Sequence, residues 1–116
     1  MRVAIIGSRS IRAVNLEHFV PPEATVILSG GAEGVDQLAA AYAKRHNLPL
    51  TEFLPDYPHF GRSAPLVRNR QIVEHADLVL AFWDGRSRGT RYTVRYAKAM
   101  GVPVRVFYRS VEPNEK

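Results

Sequence analysis

Three short apolar runs in this 116-residue chain each end in a glycine-bearing turn, and helical spacing follows. The turns read Gly7-Ser8-Arg9, Ser29-Gly30-Gly31-Ala32-Glu33-Gly34-Val35-Asp36 and Asp84-Gly85-Arg86-Ser87-Arg88-Gly89-Thr90. Glycine lets a backbone turn sharply and come close to a ligand, and a helix opening just beyond presents unpaired N–H groups to an anion. Three such turns predict a phosphate-bearing ligand held between loops.

Strand-like runs are expected at residues 2–6, 25–28, 48–54, 77–83 and 102–108. Between them, helical spacing predicts a short helix at 14–19, stopped by Pro21-Pro22, and longer ones at 34–46, 64–75 and 91–100. Residues 55–62, rich in proline and aromatics, read as a surface loop. Strands alternating with helices about five times argue for an α/β fold, a doubly wound and mainly parallel sheet with helices on both faces. The first strand then lies centrally beside 77–83, and a ligand belongs at the strand carboxyl ends near the switch point. The expected organisation is a single domain over 1–109 with a polar tail at 110–116.

Composition narrows the chemistry. Cysteine is absent, which removes disulfides, thiolate catalysis and cysteine-ligated zinc, and His18, His46, His59 and His75 show no metal-ligand spacing. The net charge of +5 comes mostly from arginine, whose planar fork suits phosphate, with lysine only at Lys44, Lys98 and Lys116. No stretch approaches the roughly 20 apolar residues of a membrane helix. No signal-peptide pattern precedes the first strand. A cytoplasmic protein without a membrane partner is the expectation.

Each candidate residue carries two readings. Gly30 and Gly31 wrap a phosphate or simply close a strand-to-helix turn. Gly7 belongs to the first turn, where Ser8 and Arg9 supply a hydroxyl and a guanidinium to the same anion, or Arg9 pairs with a surface carboxylate. Asp36 is favoured in a first helical turn by the macrodipole alone, and otherwise holds the glycine loop or a ribose. Ser87, Gly89 and Thr90 are the best phosphate candidates, although either hydroxyl could serve as an ordinary N-cap. Asp84 binds a ribose or a cation, or marks an Asp-Gly turn. Trp83, Tyr57, His59 and Phe60 stack on a base, or bury themselves or fill a dimer contact.

The turns above, with Arg68-Asn69-Arg70 and the run Ala76-Asp77-Leu78-Val79-Leu80-Ala81-Phe82-Trp83, resemble the SLOG superfamily. That group joins the Smf/DprA DNA-processing proteins to the LOG nucleotide phosphoribohydrolases. The likeness is nearest to its small stand-alone YspA branch, related to the YpsA proteins, and covers almost the whole chain. It implies a Rossmann-like fold, a homodimer, and binding of a nucleotide-derived ligand such as a nucleoside phosphate, ADP-ribose or an NAD-like molecule, with no required cofactor. Arg68 falls on the arginine that LOG enzymes use before the fourth strand, and with Asn69 is expected in the crevice. The LOG glutamate, three residues after Gly89-Thr90, is Thr93, so no catalytic residue is assigned and classical phosphoribohydrolase activity is not expected. Ser29-Gly30 and Gly34-Val35-Asp36 match the DprA-like branch, whose members bind single-stranded DNA. Its frequent histidine four residues after the aspartate is Ala40 here. The expected function is a binding protein or sensor for a nucleotide, with a nucleotide-processing hydrolase and a single-stranded nucleic-acid module as alternatives.

Overall fold

The computed structural model describes residues 1–109, so the expected tail at 110–116 lies outside the described residues. Its strands are β1 (Arg2–Gly7), β2 (Val26–Ser29), β3 (Leu50–Glu52), β4 (Leu78–Trp83) and β5 (Val104–Tyr108). The helices are α1 (Val35–Arg45), α2 (Tyr57–Phe60), α3 (Ala64–His75) and α4 (Arg88–Ala99). The five strands form one sheet in the order β3-β2-β1-β4-β5, every neighbouring pair parallel. The sheet grows one way from β1 to β3, then restarts at β4 on the other side of β1. Loops leaving the carboxyl ends of β1 and β4 therefore diverge to opposite faces and leave a gap between them.

Period-two alternation sorts side chains between the two layers. Val3, Ile5, Leu78, Leu80 and Phe82 face α1, where they meet Val35, Ala39 and Tyr42. Ala4, Ile6, Val79 and Ala81 face α3 and α4, where they meet Ile72, Val73, Val94 and Ala97. Phe82 is fully buried in the first layer, edge-on to Phe19 at 5.2 Å and stacked on Phe107 at 5.2 Å. No described helix is long and apolar enough to cross a membrane.

Four local expectations shift. The helix expected at 14–19 is a 3-10 turn, Leu16–His18, tied to the end of α1 by Glu17, which accepts from Arg45 at 3.0 Å and faces His46 at 3.0 Å. The expected loop at 55–62 contains α2, opened by the Asp56 carboxylate accepting from His59 N–H at 3.3 Å. The third strand shortens to the edge strand β3. Ile27, Leu28 and Ser29 of β2 lie beside it, and no described residue pairs its outer side. α4 begins at Arg88 instead of Arg91, because the Ser87 side chain caps it by accepting from Thr90 N–H at 3.2 Å.

Phe82→Ala should cost about 3–5 kcal/mol, since it removes a ring at the centre of one layer. Tyr108→Ala, at a residue 65% exposed, should stay within about 0.5 kcal/mol. Urea unfolding followed by circular dichroism checks both, and equal losses would place the core elsewhere.

Candidate functional site

The gap between the β1 and β4 loops is a crevice of about 390 Å³, within the range of about 300–1,000 Å³ typical of small-molecule sites. Of the residues expected at a site, Gly7, Arg9, Gly30, Asp36, Arg68, Asn69, Asp84, Ser87, Gly89 and Thr90 line it. Four segments distant in sequence thus converge.

Ser8 and Gly31 depart from expectation. The Ser8 side chain is buried, and its hydroxyl accepts from Asp84 N–H at 3.1 Å, so it joins the two loops from behind the crevice. Gly31 turns with φ +71° outside the lining, its Cα backed by Leu54. Trp83 is likewise committed elsewhere, with its indole N–H donating to Ser87 C=O at 3.0 Å and its ring 5.4 Å from Tyr108. Tyr57, His59 and Phe60 are exposed on α2 and do not line the crevice.

Arg68 sits in α3 with only 8% exposure. Its Nη1 donates to Gly30 C=O at 2.7 Å and to Phe53 C=O at 3.3 Å, and its Nε donates to Asn69 Oδ1 at 2.8 Å. The Asn69 amide is thereby oriented with its NH2 toward Gly89. Burial pushes the Arg68 pKa down, Asp36 opposes that shift, and the positive charge of Arg9 adds to it. Arg9 itself makes no hydrogen bond or ion pair with any described residue. Two guanidinium groups therefore line one crevice, with the Asp36 carboxylate beside Arg68.

Asp36, in the first turn of α1, accepts from Ala32 N–H at 3.0 Å. Burial raises its pKa above the usual carboxylate range, against the Ala32 hydrogen bond and the Arg68 charge. Gly34 opens this helix with φ +73°, and a Cβ there would lie 2.6 Å from the Arg9 carbonyl oxygen. Glycine is thus what lets the β1 and β2 loops touch.

Asp84 is a loop tie. One carboxylate oxygen accepts from Arg86 N–H at 2.8 Å and Ser87 N–H at 2.9 Å, and the other accepts from the Ser10 hydroxyl at 2.7 Å. Partial burial works against its charge, but these bonds outweigh burial and lower the pKa to about 2. Beyond Ser87, the amides of Arg88 and Gly89 find no acceptor among the described residues, as at any helix start. Thr93, at the position of the LOG glutamate, lines the crevice and donates to Gly89 C=O at 2.8 Å.

Sequence reasoning missed Ile6, Ser10, Ala32, Pro65, Leu66 and Ile72. Pro65 and Ile72 were within reach of helical spacing, since they stand three residues before and four after Arg68 on one face of α3. Ser10 carried no local signal, because its partner Asp84 is 74 residues away.

Fold and crevice define a Rossmann-like α/β protein with a cleft of mixed polar and apolar lining where sheet growth reverses. No protein-family model matches the chain. It belongs to the family of the Gene 61 protein of Mycobacterium phage D29, to which it is 35% identical over 116 aligned positions, covering 89% of this chain and 93% of that protein. A segment of translation initiation factor IF-2 from Ligilactobacillus salivarius is 31% identical over 88 residues, which is 76% of this chain but 12% of that factor. Among solved structures, the chain is similar to DNA processing protein A from Helicobacter pylori, a protein described for its single-stranded DNA binding mode. The TM-score is 0.72 at 24% identity, covering 99% of this chain and 67% of that one, and the likeness establishes the fold.

The Asp84 tie has a pH signature. A carboxylate with a lowered folded pKa contributes stability that is complete above its unfolded pKa of about 3.9 and is lost as pH falls toward its folded value. For Asp84 that window runs down to about pH 2. Asp84→Asn should therefore be less stable than wild type at pH 6, with the difference shrinking as pH drops through the window. Urea midpoints across pH 2–6 measure this, and a constant difference would show that the charge is not what ties the loops.

Proposed function

We propose that the crevice binds a nucleotide-derived ligand by its phosphate. The reading rests on one observation: Arg9, the Asn69 NH2 and the unpaired amide of Gly89 gather at a single cleft floored by the Arg68 guanidinium. Guanidinium forks and a helix N-terminus are two standard solutions to phosphate binding, and here they adjoin. The ligand class is the one that resemblance to the small YspA branch implies: a nucleoside phosphate, ADP-ribose or an NAD-like molecule. Binding without turnover is favoured because Thr93, whose hydroxyl is already engaged, occupies the position where a LOG enzyme carries its carboxylate.

A second reading has its own support. The fold is shared with a DNA processing protein described for single-stranded DNA binding, and each nucleotide of a strand offers the same phosphate to the same donors.

Gly89→Asp separates binding here from binding elsewhere. A Cβ at Gly89 would meet only Asn69 Nδ2, at 3.7 Å, so the variant should fold. Its carboxylate would occupy the phosphate position and repel the ligand. Thermal shifts with AMP, ADP, ADP-ribose, NAD and a short oligonucleotide should identify a ligand for wild type, because saturation at about 100 times Kd adds about 2.7 kcal/mol. The same ligand should leave Gly89→Asp unshifted. An equal shift in both proteins would move the site. Chromatography of the bound ligand should return it intact, and a cleaved product would make the protein an enzyme.

A further inference from the structure

The outer face of α4 carries Arg88, Arg91, Arg95 and Lys98, all exposed. The spacings of three, four and three residues place them within about 80° of arc and along about 15 Å of helix axis. The helix contains no acidic residue, and none of the four makes an ion pair among the described residues. Such a stripe repels itself, so its continuous sign is a cost to the free protein.

Two tyrosines border the stripe. Tyr92 and Tyr96 are half-buried, with ring planes 11° apart and centroids 6.3 Å apart, and Tyr96 is anchored by donating its hydroxyl to Glu74 at 2.5 Å. The opposite side of α4 is committed to the core through Thr93, Val94 and Ala97, so it has no apolar face to lay on a membrane. The stripe begins at Arg88, between two residues that line the crevice.

We infer that α4 carries the backbone of a single-stranded nucleic acid, whose terminal or flipped-out nucleotide occupies the crevice. Cations about 5 Å apart along a helix match a flexible phosphate chain, and paired aromatic rings beside them offer bases a stacking platform. A duplex would have to unpair and unstack a base to place one nucleotide in the cleft, a cost a single strand largely avoids. This inference rests on the second reading above and specifies how a strand leaves the site.

Fluorescence anisotropy with a labelled 12-nucleotide oligothymidylate tests it, with thymidine monophosphate and a 12-base-pair duplex as competitors. Wild type should bind the strand more tightly than the monophosphate or the duplex. In Arg91→Gln/Arg95→Gln/Lys98→Gln the strand should bind about tenfold weaker or worse at 0.1 M salt. The slope of log affinity against log salt should flatten by about 2, at about 0.7 per phosphate contact on single strands. Monophosphate binding should not change. Arg95→Gln alone should flatten the slope by about 0.7 and guards against misfolding of the triple variant. Equal affinity for strand and monophosphate, an unchanged slope, or preference for the duplex would overturn the inference. Strand binding that Gly89→Asp destroys and the triple variant spares would retain the crevice and reject the stripe. Strand binding spared by Gly89→Asp and lost in the triple variant would reject the crevice and retain the stripe. Binding of none of the three probes would overturn both.

Discussion

A buried guanidinium holds this crevice in shape. Removing an ion from water costs several kcal/mol unless partners replace the hydration shell, and Arg68 is 8% exposed. Its replacements are the carbonyls of Gly30 and Phe53 and the side chain of Asn69. Meeting that requirement ties α3 to the loops that leave β2 and β3. The packing leaves no slack, because a Cβ at Gly30 would lie 2.6 Å from Arg68 Nη1 and 2.9 Å from Asp36 Oδ2. Glycine stands there to admit a charged floor, whatever it contributes to a ligand.

The other wall is built from a different bond set with the same result. Ser8 N–H donates to Phe82 C=O at 3.0 Å, continuing the β1–β4 pairing past the end of the strand. The Ser8 hydroxyl and the Asp84 carboxylate then lock the two loops together, with Ser10 closing the link from the crevice side. Here they are one unit, and that unit aims the first turn of α4. Donors fixed before a ligand arrives spare the ordering cost at binding.

Much of the architecture was legible because it is local. The alternation in Val3-Ala4-Ile5-Ile6 and in Leu78-Val79-Leu80-Ala81-Phe82 assigns faces directly, and β1 does lie beside β4 at the centre. The crevice lining was legible to the same degree, since glycine, hydroxyl and arginine residues at strand ends carry their own chemistry. What escaped depends on contacts between distant segments. Nothing in Gly7-Ser8-Arg9 distinguishes a serine that faces a ligand from one that receives an amide 76 residues away. Trp83 looked available for a base, but its ring packs beside Tyr108 and lies outside the crevice lining. The four-residue α2 has no period to detect; a single Asp56 cap opens it.

The balance of donors and acceptors separates holding a ligand from cutting it. A hydrolase needs a carboxylate or other base free to take a proton from water. Both oxygens of Asp84 are occupied by loop donors. Asp36 is buried against Gly30, accepts from Ala32, and is disfavoured as an anion by its own burial. Glu33 turns outward to Arg12 at 3.3 Å, with both side chains two-thirds exposed. The groups left facing the cleft are Arg9, the Asn69 NH2 and the first amides of α4, all of them donors. Donors of this kind hold an anionic group, and without a free base they activate no water. On the reading proposed above, a cleft whose carboxylates serve the fold and whose remaining donors face the space would grip a phosphate.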